Sequence, residues 1–166
     1  MLTMLATPRF LVADDVPWLA EMQAALLQEA GAEVAATAFD GSEALEQFRR
    51  VAPDACLLDF SMPGLDGLQV LRAIRAHEGP RDVAARTLVV ILTSSTEPAI
   101  RDECLASGAD HFLCKPVEPD RLQGLVEEAC RRVLHAGRAD ALAAGAAHDQ
   151  VNGLAPGRPG SIAGLS

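Results

Sequence analysis

The sequence predicts an α/β protein in which a parallel sheet is covered by helices on both faces. Short apolar runs alternate with amphipathic stretches from Arg9 to about Ala136, giving five strand-helix units. The runs are nearly continuous in apolar character rather than alternating, as strands buried on both faces require. The residues that close them supply the third observation. Asp14-Asp15, Asp59 and Lys115-Pro116 each end a run, at the edge where a parallel sheet would bring acids and one amine together.

The first strand is read over Arg9 to Ala13 and closes on Asp14-Asp15. The helix after it starts at Pro17, whose fixed φ suits the first helical position, and ends before Gly31, which can take a left-handed cap. Its inner stripe is expected to be Trp18, Met22, Ala25, Leu26 and Ala30. The second strand, Glu33 to Thr37, is the exception to continuous apolar character and so belongs at an edge. A helix follows Asp40-Gly41-Ser42, with Ala44, Leu45 and Phe48 facing inward. The third strand, Ala55 to Asp59, ends on a carboxylate, and the third helix runs from about Gly67 to His77 with Leu68, Leu71 and Ile74 at helical spacing. The fourth strand, Thr87 to Thr93, delivers a hydroxyl to the same edge, and the fifth, His111 to Lys115, delivers the amine. The last helix starts at Pro119, and Leu122, Leu125, Val126, Ala129, Cys130, Val133 and Leu134 follow the period of an apolar face.

After Ala136 the composition shifts to Ala, Gly and Pro. Residues 1–136 are therefore expected to fold, and 137–166 to form a flexible tail with a frayed helical extension near Ala139 to Ala147. A chain of 166 residues is most economically one domain, with no room left for a second effector domain. A net charge of -9 and a pI near 4.8 argue against binding a nucleic-acid backbone, since Arg49-Arg50 and Arg131-Arg132 are only isolated pairs. No apolar run approaches the ~20 residues needed to cross a bilayer. The start, Met1 to Pro8, lacks the pattern of a secretory signal, so a cytoplasmic location is expected. Cys56, Cys104, Cys114 and Cys130 are too widely spaced for a zinc site and are read as small core residues.

Two carboxylates ~4 Å apart repel by ~4 kcal/mol at the effective dielectric of a protein surface, so three acids in one pocket call for a cation. Oxygen donors without imidazole or thiolate favour Mg²⁺. Taken alone, Asp14-Asp15 serves equally well as an acidic pair beside a helix N-terminus, and Phe112 equally well as a core aromatic.

Four strings in order carry a resemblance. They are Asp14-Asp15 after the first strand, Leu57-Leu58-Asp59-Phe60-Ser61-Met62-Pro63-Gly64-Leu65-Asp66-Gly67, Ile91-Leu92-Thr93-Ser94, and Gly108-Ala109-Asp110 leading to Lys115-Pro116. Over Arg9 to about Leu134 the chain resembles the receiver domain of bacterial two-component response regulators, of the chemotaxis-type single-domain kind. The resemblance implies a flavodoxin-like, doubly wound (βα)5 sandwich whose five-stranded parallel sheet has the order 2-1-3-4-5.

The same resemblance implies roles for individual residues. Asp59 would accept a phosphoryl group from the histidine of a partner sensor kinase. Asp15 and Asp59 would ligate Mg²⁺ directly and Asp14 largely through water, with the backbone carbonyl of Ser61 completing the protein's share. Lys115 would supply positive charge to the transferring group. Thr93 would donate to the phosphoryl group, and Phe112 would turn into the space that Thr93 leaves. The face of the fourth helix, fifth strand and fifth helix would then meet an output protein in a changed form.

Many chemotaxis-type members carry Tyr where this chain has Phe112, so a hydroxyl hydrogen bond there is lost. Ser61 and Ser95 occupy the positions with which the family tunes dephosphorylation. The expected product is a non-enzymatic switch that catalyses only its own phosphorylation and dephosphorylation, as a monomer or a weak homodimer through the last helix. One alternative is a phosphorelay intermediate that passes the group from Asp59 to a histidine phosphotransfer protein. A Mg-dependent phosphohydrolase of the haloacid-dehalogenase kind would need a second Asp where Ser61 stands. A flavodoxin-like electron carrier would place a phosphate against Asp14-Asp15, which would repel it.

Overall fold

The structure is a computed structural model and describes residues 6–151. Its single sheet has five parallel strands, β1 (Arg9–Ala13), β2 (Glu33–Ala38), β3 (Ala55–Asp59), β4 (Leu88–Thr93) and β5 (His111–Cys114), in the order β2-β1-β3-β4-β5. The connecting helices are α1 (Pro17–Glu29), α2 (Gly41–Val51), α3 (Gly67–Glu78), α4 (Pro98–Ala106) and α5 (Pro119–Val151), with a short 3-10 turn at Val83–Ala85. The α/β doubly wound class and the strand order stand as expected. Relative to the sequence reading, β2 gains Ala38 while β4 and β5 lose Thr87 and Lys115.

The order explains which face each helix covers. The chain leaves β1 in one direction across the sheet to reach β2, then travels in the opposite direction to β3, β4 and β5. Crossovers between parallel strands are right-handed, so α1 must lie on the face opposite α2, α3 and α4. The packing agrees. Phe10, Val12, Leu57 and Val90 point to a core shared with Ala20 and Leu27 of α1 and with Leu122, Val126 and Ala129 of α5. Leu11, Leu58 and Ile91, one residue on in each strand, point to the other core, with Phe48 of α2, Leu71 and Ile74 of α3 and Cys104 of α4. Strands β1, β3 and β4 have almost every residue buried, which is why their text reads as unbroken apolar runs.

Local signals set the helix starts. Asp40 accepts a hydrogen bond from the Glu43 backbone N–H at 2.7 Å, and Asp66 and Gln69 form a reciprocal capping box at the start of α3. Gly31, at φ 98°, closes α1 in the left-handed region as its sequence position suggests.

Three expectations are corrected. Trp18 is 65% exposed and Met22 43% exposed; α1 instead buries Ala20, Gln23 and Leu27, with Ala20 and Leu27 in one core with Phe10 and Val12 of β1. Leu134 is 38% exposed, lying beyond the stretch of α5 that covers the sheet. Cys114 is exposed, since β5 is an edge strand that ends there. Helix α5 continues through Val151 and covers the helical extension expected near Ala139 to Ala147, while the rest of the expected tail, 152–166, lies outside the described residues. Among the described residues no helix is long and apolar enough to cross a membrane.

Candidate functional site

The chain's reversal between β1 and β3 opens a crevice outside their carboxyl ends, and the polar residues that close the strands meet there. Carboxylate oxygens of Asp14, Asp15 and Asp59 lie within 4.8 Å of one another. From the end of β5, two strands beyond β3, Lys115 reaches back so that its Nζ stands 2.7 Å from Asp14 Oδ2 and 3.2 Å from Asp59 Oδ2. Asp14 is fully buried and Asp59 is 5% exposed, whereas Asp15 faces solvent. The corner thus joins residues that are far apart in sequence through backbone geometry alone.

Each acid is differently satisfied. Asp14 Oδ1 accepts from the Val16 backbone N–H at 3.0 Å, and Oδ2 accepts from Lys115 and from Gln23 Nε2 at 3.3 Å. Asp59 Oδ1 receives only a 3.4 Å contact from the Ser61 N–H, longer than an ordinary hydrogen bond. It is the less engaged oxygen of that carboxylate, since Oδ2 faces Lys115, and its one contact is with the exposed Ser61. Burial pushes the Asp59 carboxyl above its usual range, Lys115 opposes this, and the charge of Asp14 adds to it. For Lys115, burial works against the ammonium, but the hydrogen bond to Asp14 and the charges of Asp59 and Asp14 outweigh it and hold its pKa above the ordinary lysine value. The amine therefore stays charged across the neutral range.

Three carboxylates against one ammonium leave the corner with excess negative charge, and every nearby donor atom is oxygen. That donor set suits a hard divalent cation such as Mg²⁺. Asp14, Asp15 and Asp59 are the residues that could hold it.

Thr93 ends β4 one position beyond Leu92, the residue paired with Asp59. It is buried, and its Oγ1 accepts from the Ser95 N–H at 3.0 Å. By strand alternation Thr93 faces the same side of the sheet as Ile91, which pairs with Phe112. Phe112 is half-buried, packs on that core, and lines two shallow grooves of about 410 and 250 Å³ beside α4. The structure therefore brings Asp14, Asp15, Asp59 and Lys115 into one corner, and puts Thr93 and Phe112 on one face of the sheet, on adjacent strands.

One participant escaped the sequence reading: Gln23 of α1 is buried against Asp14. Gly67, read from the sequence as the start of the third helix, has a closer reason to be glycine. A Cβ there would stand 2.5 Å from the Asp59 carbonyl oxygen and 2.9 Å from the Phe60 Cα, so α3 can start against the Asp59 backbone only with glycine.

A doubly wound sheet in this order, with three acids and a lysine at its reversal, defines a receiver-type α/β module. The profile of the response regulator receiver domain matches residues 10–127, and the chain belongs to that family, as the receiver domain of a two-component response regulator. It is 39% identical over 124 residues to the DNA-binding response regulator MtrA of Mycolicibacterium smegmatis, a match covering 75% of this chain and 51% of MtrA. Over 108 residues it is 40% identical to the probable transcriptional regulatory protein NarL of Mycobacterium tuberculosis, covering 64% of this chain and 47% of NarL. The chain thus spans about half the length of the curated relatives it matches. Among solved structures, the signal receiver domain of the Mycobacterium tuberculosis NarL superposes with a TM-score of 0.67 at 34% identity, covering 75% of this chain and 97% of that one. The Vibrio cholerae chemotaxis protein CheY4 superposes with a TM-score of 0.65 at 31% identity, covering 75% and 98%.

Proposed function

We propose that the chain is a phosphoacceptor switch that takes a phosphoryl group from the histidine of a sensor kinase onto Asp59. The observation that carries this reading is the Asp59 carboxylate, buried beside Lys115 yet with Oδ1 held only by a 3.4 Å contact. That oxygen attacks phosphorus as the kinase's P–N bond breaks, the imidazole keeps the departing electron pair, and an acyl phosphate remains on Asp59. Such transfer depends on in-line positioning and on positive charge near the equatorial oxygens. Lys115 supplies a compact charge held in place by Asp14. Asp14, Asp15 and Asp59, with the Ser61 carbonyl, are the residues that would hold Mg²⁺, which when bound supplies the remaining charge neutralisation.

The new group brings about -1.5 to -2 charges and three acceptor oxygens. Thr93, which now only accepts from Ser95, has a hydroxyl proton free to donate to it. Phe112, on the same sheet face, is the side chain that a shift of Thr93 releases inward, and the grooves it lines beside α4 and the start of α5 are the surface that an output protein would read. A net charge of -9 supports a protein rather than a nucleic acid as the partner of this domain.

Incubation with acetyl phosphate and Mg²⁺, followed by intact mass measurement, is expected to add one base-labile phosphoryl group to the wild type and none to Asp59→Asn. Equal modification of both proteins would remove Asp59 as the acceptor.

A further inference from the structure

A second cavity, of about 320 Å³, opens at the opposite end of the sheet. Asp54 and Thr87, in its wall, immediately precede β3 and β4, the strands whose far ends carry Asp59 and Thr93. Four arginines line it, Arg49, Arg81, Arg86 and Arg132, in a chain of net charge -9.

Two of the four, Arg86 and Arg132, are paired with Asp110 at 2.9 and 3.1 Å. Among the described residues Arg49 and Arg81 form no ion pair, and both are exposed. The two acids of the wall are already engaged. Glu78 holds Arg75 at 2.7 Å and the Thr87 N–H at 2.7 Å, and Asp54 accepts the Arg9 N–H at 2.8 Å. Arg86 donates through Nη2 to Asp110 at 2.9 Å, but its Nε is buried and finds no acceptor among the described residues.

We infer that this cavity binds a small phosphorylated anion through Arg49, Arg81 and the part of Arg86 that lines it. Guanidinium groups match phosphate oxygens with paired, charge-assisted hydrogen bonds. The volume lies at the small end of the range for ligand pockets and suits a pyrophosphate or a nucleoside monophosphate. The exposed His77 ring, set edge-on to Phe48 at 5.9 Å, offers a flat wall to a ring attached to the phosphate. The six residues of β4 separate this site from the acidic corner by about 20 Å, so the ligand would not compete with a phosphoryl group on Asp59.

Calorimetric titration of the full chain with pyrophosphate, with AMP and with adenosine tests this, in EDTA so that metal does not draw phosphate to the acidic corner. Saturable binding of at least one phosphorylated probe is expected, with none for adenosine. Asp59→Asn should bind as the wild type does, and the double variant Arg49→Ala/Arg81→Ala should bind at least about tenfold more weakly, a circular dichroism melt confirming that it folds. AMP binding more tightly than pyrophosphate would assign a ring-bearing ligand, and the reverse order a bare phosphate. Absence of saturable binding by either probe, an unchanged affinity in the double variant, or loss of binding in Asp59→Asn would each overturn the assignment.

Discussion

At the scale of single residues, Asp59 shows a site kept at the expense of stability. Its carboxyl is raised by burial first and by Asp14 in addition, with Lys115 only partly offsetting them. A carboxyl whose folded pKa lies above its unfolded value of about 3.9 contributes stability below that value, and the contribution is lost as pH rises through the folded pKa. Ionised Asp59 therefore destabilises the fold at neutral pH. Asp59→Asn is expected to melt at a higher temperature than the wild type at pH 7 without divalent cation, with the gain shrinking towards pH 4. Equal melting temperatures at pH 7 would contradict this balance. The acids, the lysine and the threonine were legible in the text because each ends an apolar run. Gln23 was not, since a buried polar side chain on a helix becomes informative only once Asp14 is seen beside it.

Secondary-structure elements differ in how openly the sequence marks them. In α2 and α3 the apolar residues fall on one side and a capping aspartate fixes the start, so both helices and their inner residues could be read. In α1 apolar residues occur around most of the helix, and periodicity alone could not choose between the phase of Trp18 and Met22 and that of Ala20, Gln23 and Leu27. Helix α4 buries only Cys104, too little to leave an apolar stripe, and it entered the reading through the family resemblance alone. Glycine separates function from propensity at this scale. Gly67→Ala forces a Cβ into the Asp59 and Phe60 backbone, and a loss of about 1–3 kcal/mol in denaturant titration is expected, together with slower phosphorylation. Gly124→Ala, in α5 with nothing within 4 Å of the added Cβ, is expected to gain about 0.5–1 kcal/mol.

The whole molecule is tied together at the end opposite the acidic corner. Asp110, just before β5, accepts hydrogen bonds from Arg75 of α3 at 2.9 Å, Arg86 at 2.9 Å, Arg132 of α5 at 3.1 Å and the Val89 N–H at 2.9 Å. Its side chain is 4% exposed. Burial opposes its charge, yet the Val89 N–H and the hydrogen bonds from Arg86 and Arg132 hold its carboxyl below the usual range. Removing one member of such a buried cluster strands the others, and Asp110→Asn is expected to lose about 3–5 kcal/mol in urea unfolding at pH 7. The sign is opposite to that of Asp59. Stability from Asp110 is present above the unfolded pKa of about 3.9 and is lost as pH falls through the folded value, so the deficit of the variant should narrow in acid. A deficit that stays constant from pH 7 down to pH 2 would show that charge is not its source.

By itself the sequence determined the α/β class, the strands, and the acids and lysine of the site. Burial on both faces leaves unbroken apolar runs, and strand ends must place polar groups at the sheet edge. Tertiary structure alone decided which side of α1 packs, that Cys114 lies open while Gln23 is buried, and that Arg75, Arg86 and Arg132 converge on Asp110. Those outcomes depend on what each side chain meets across the sheet, and the meeting partners lie tens of residues apart along the chain.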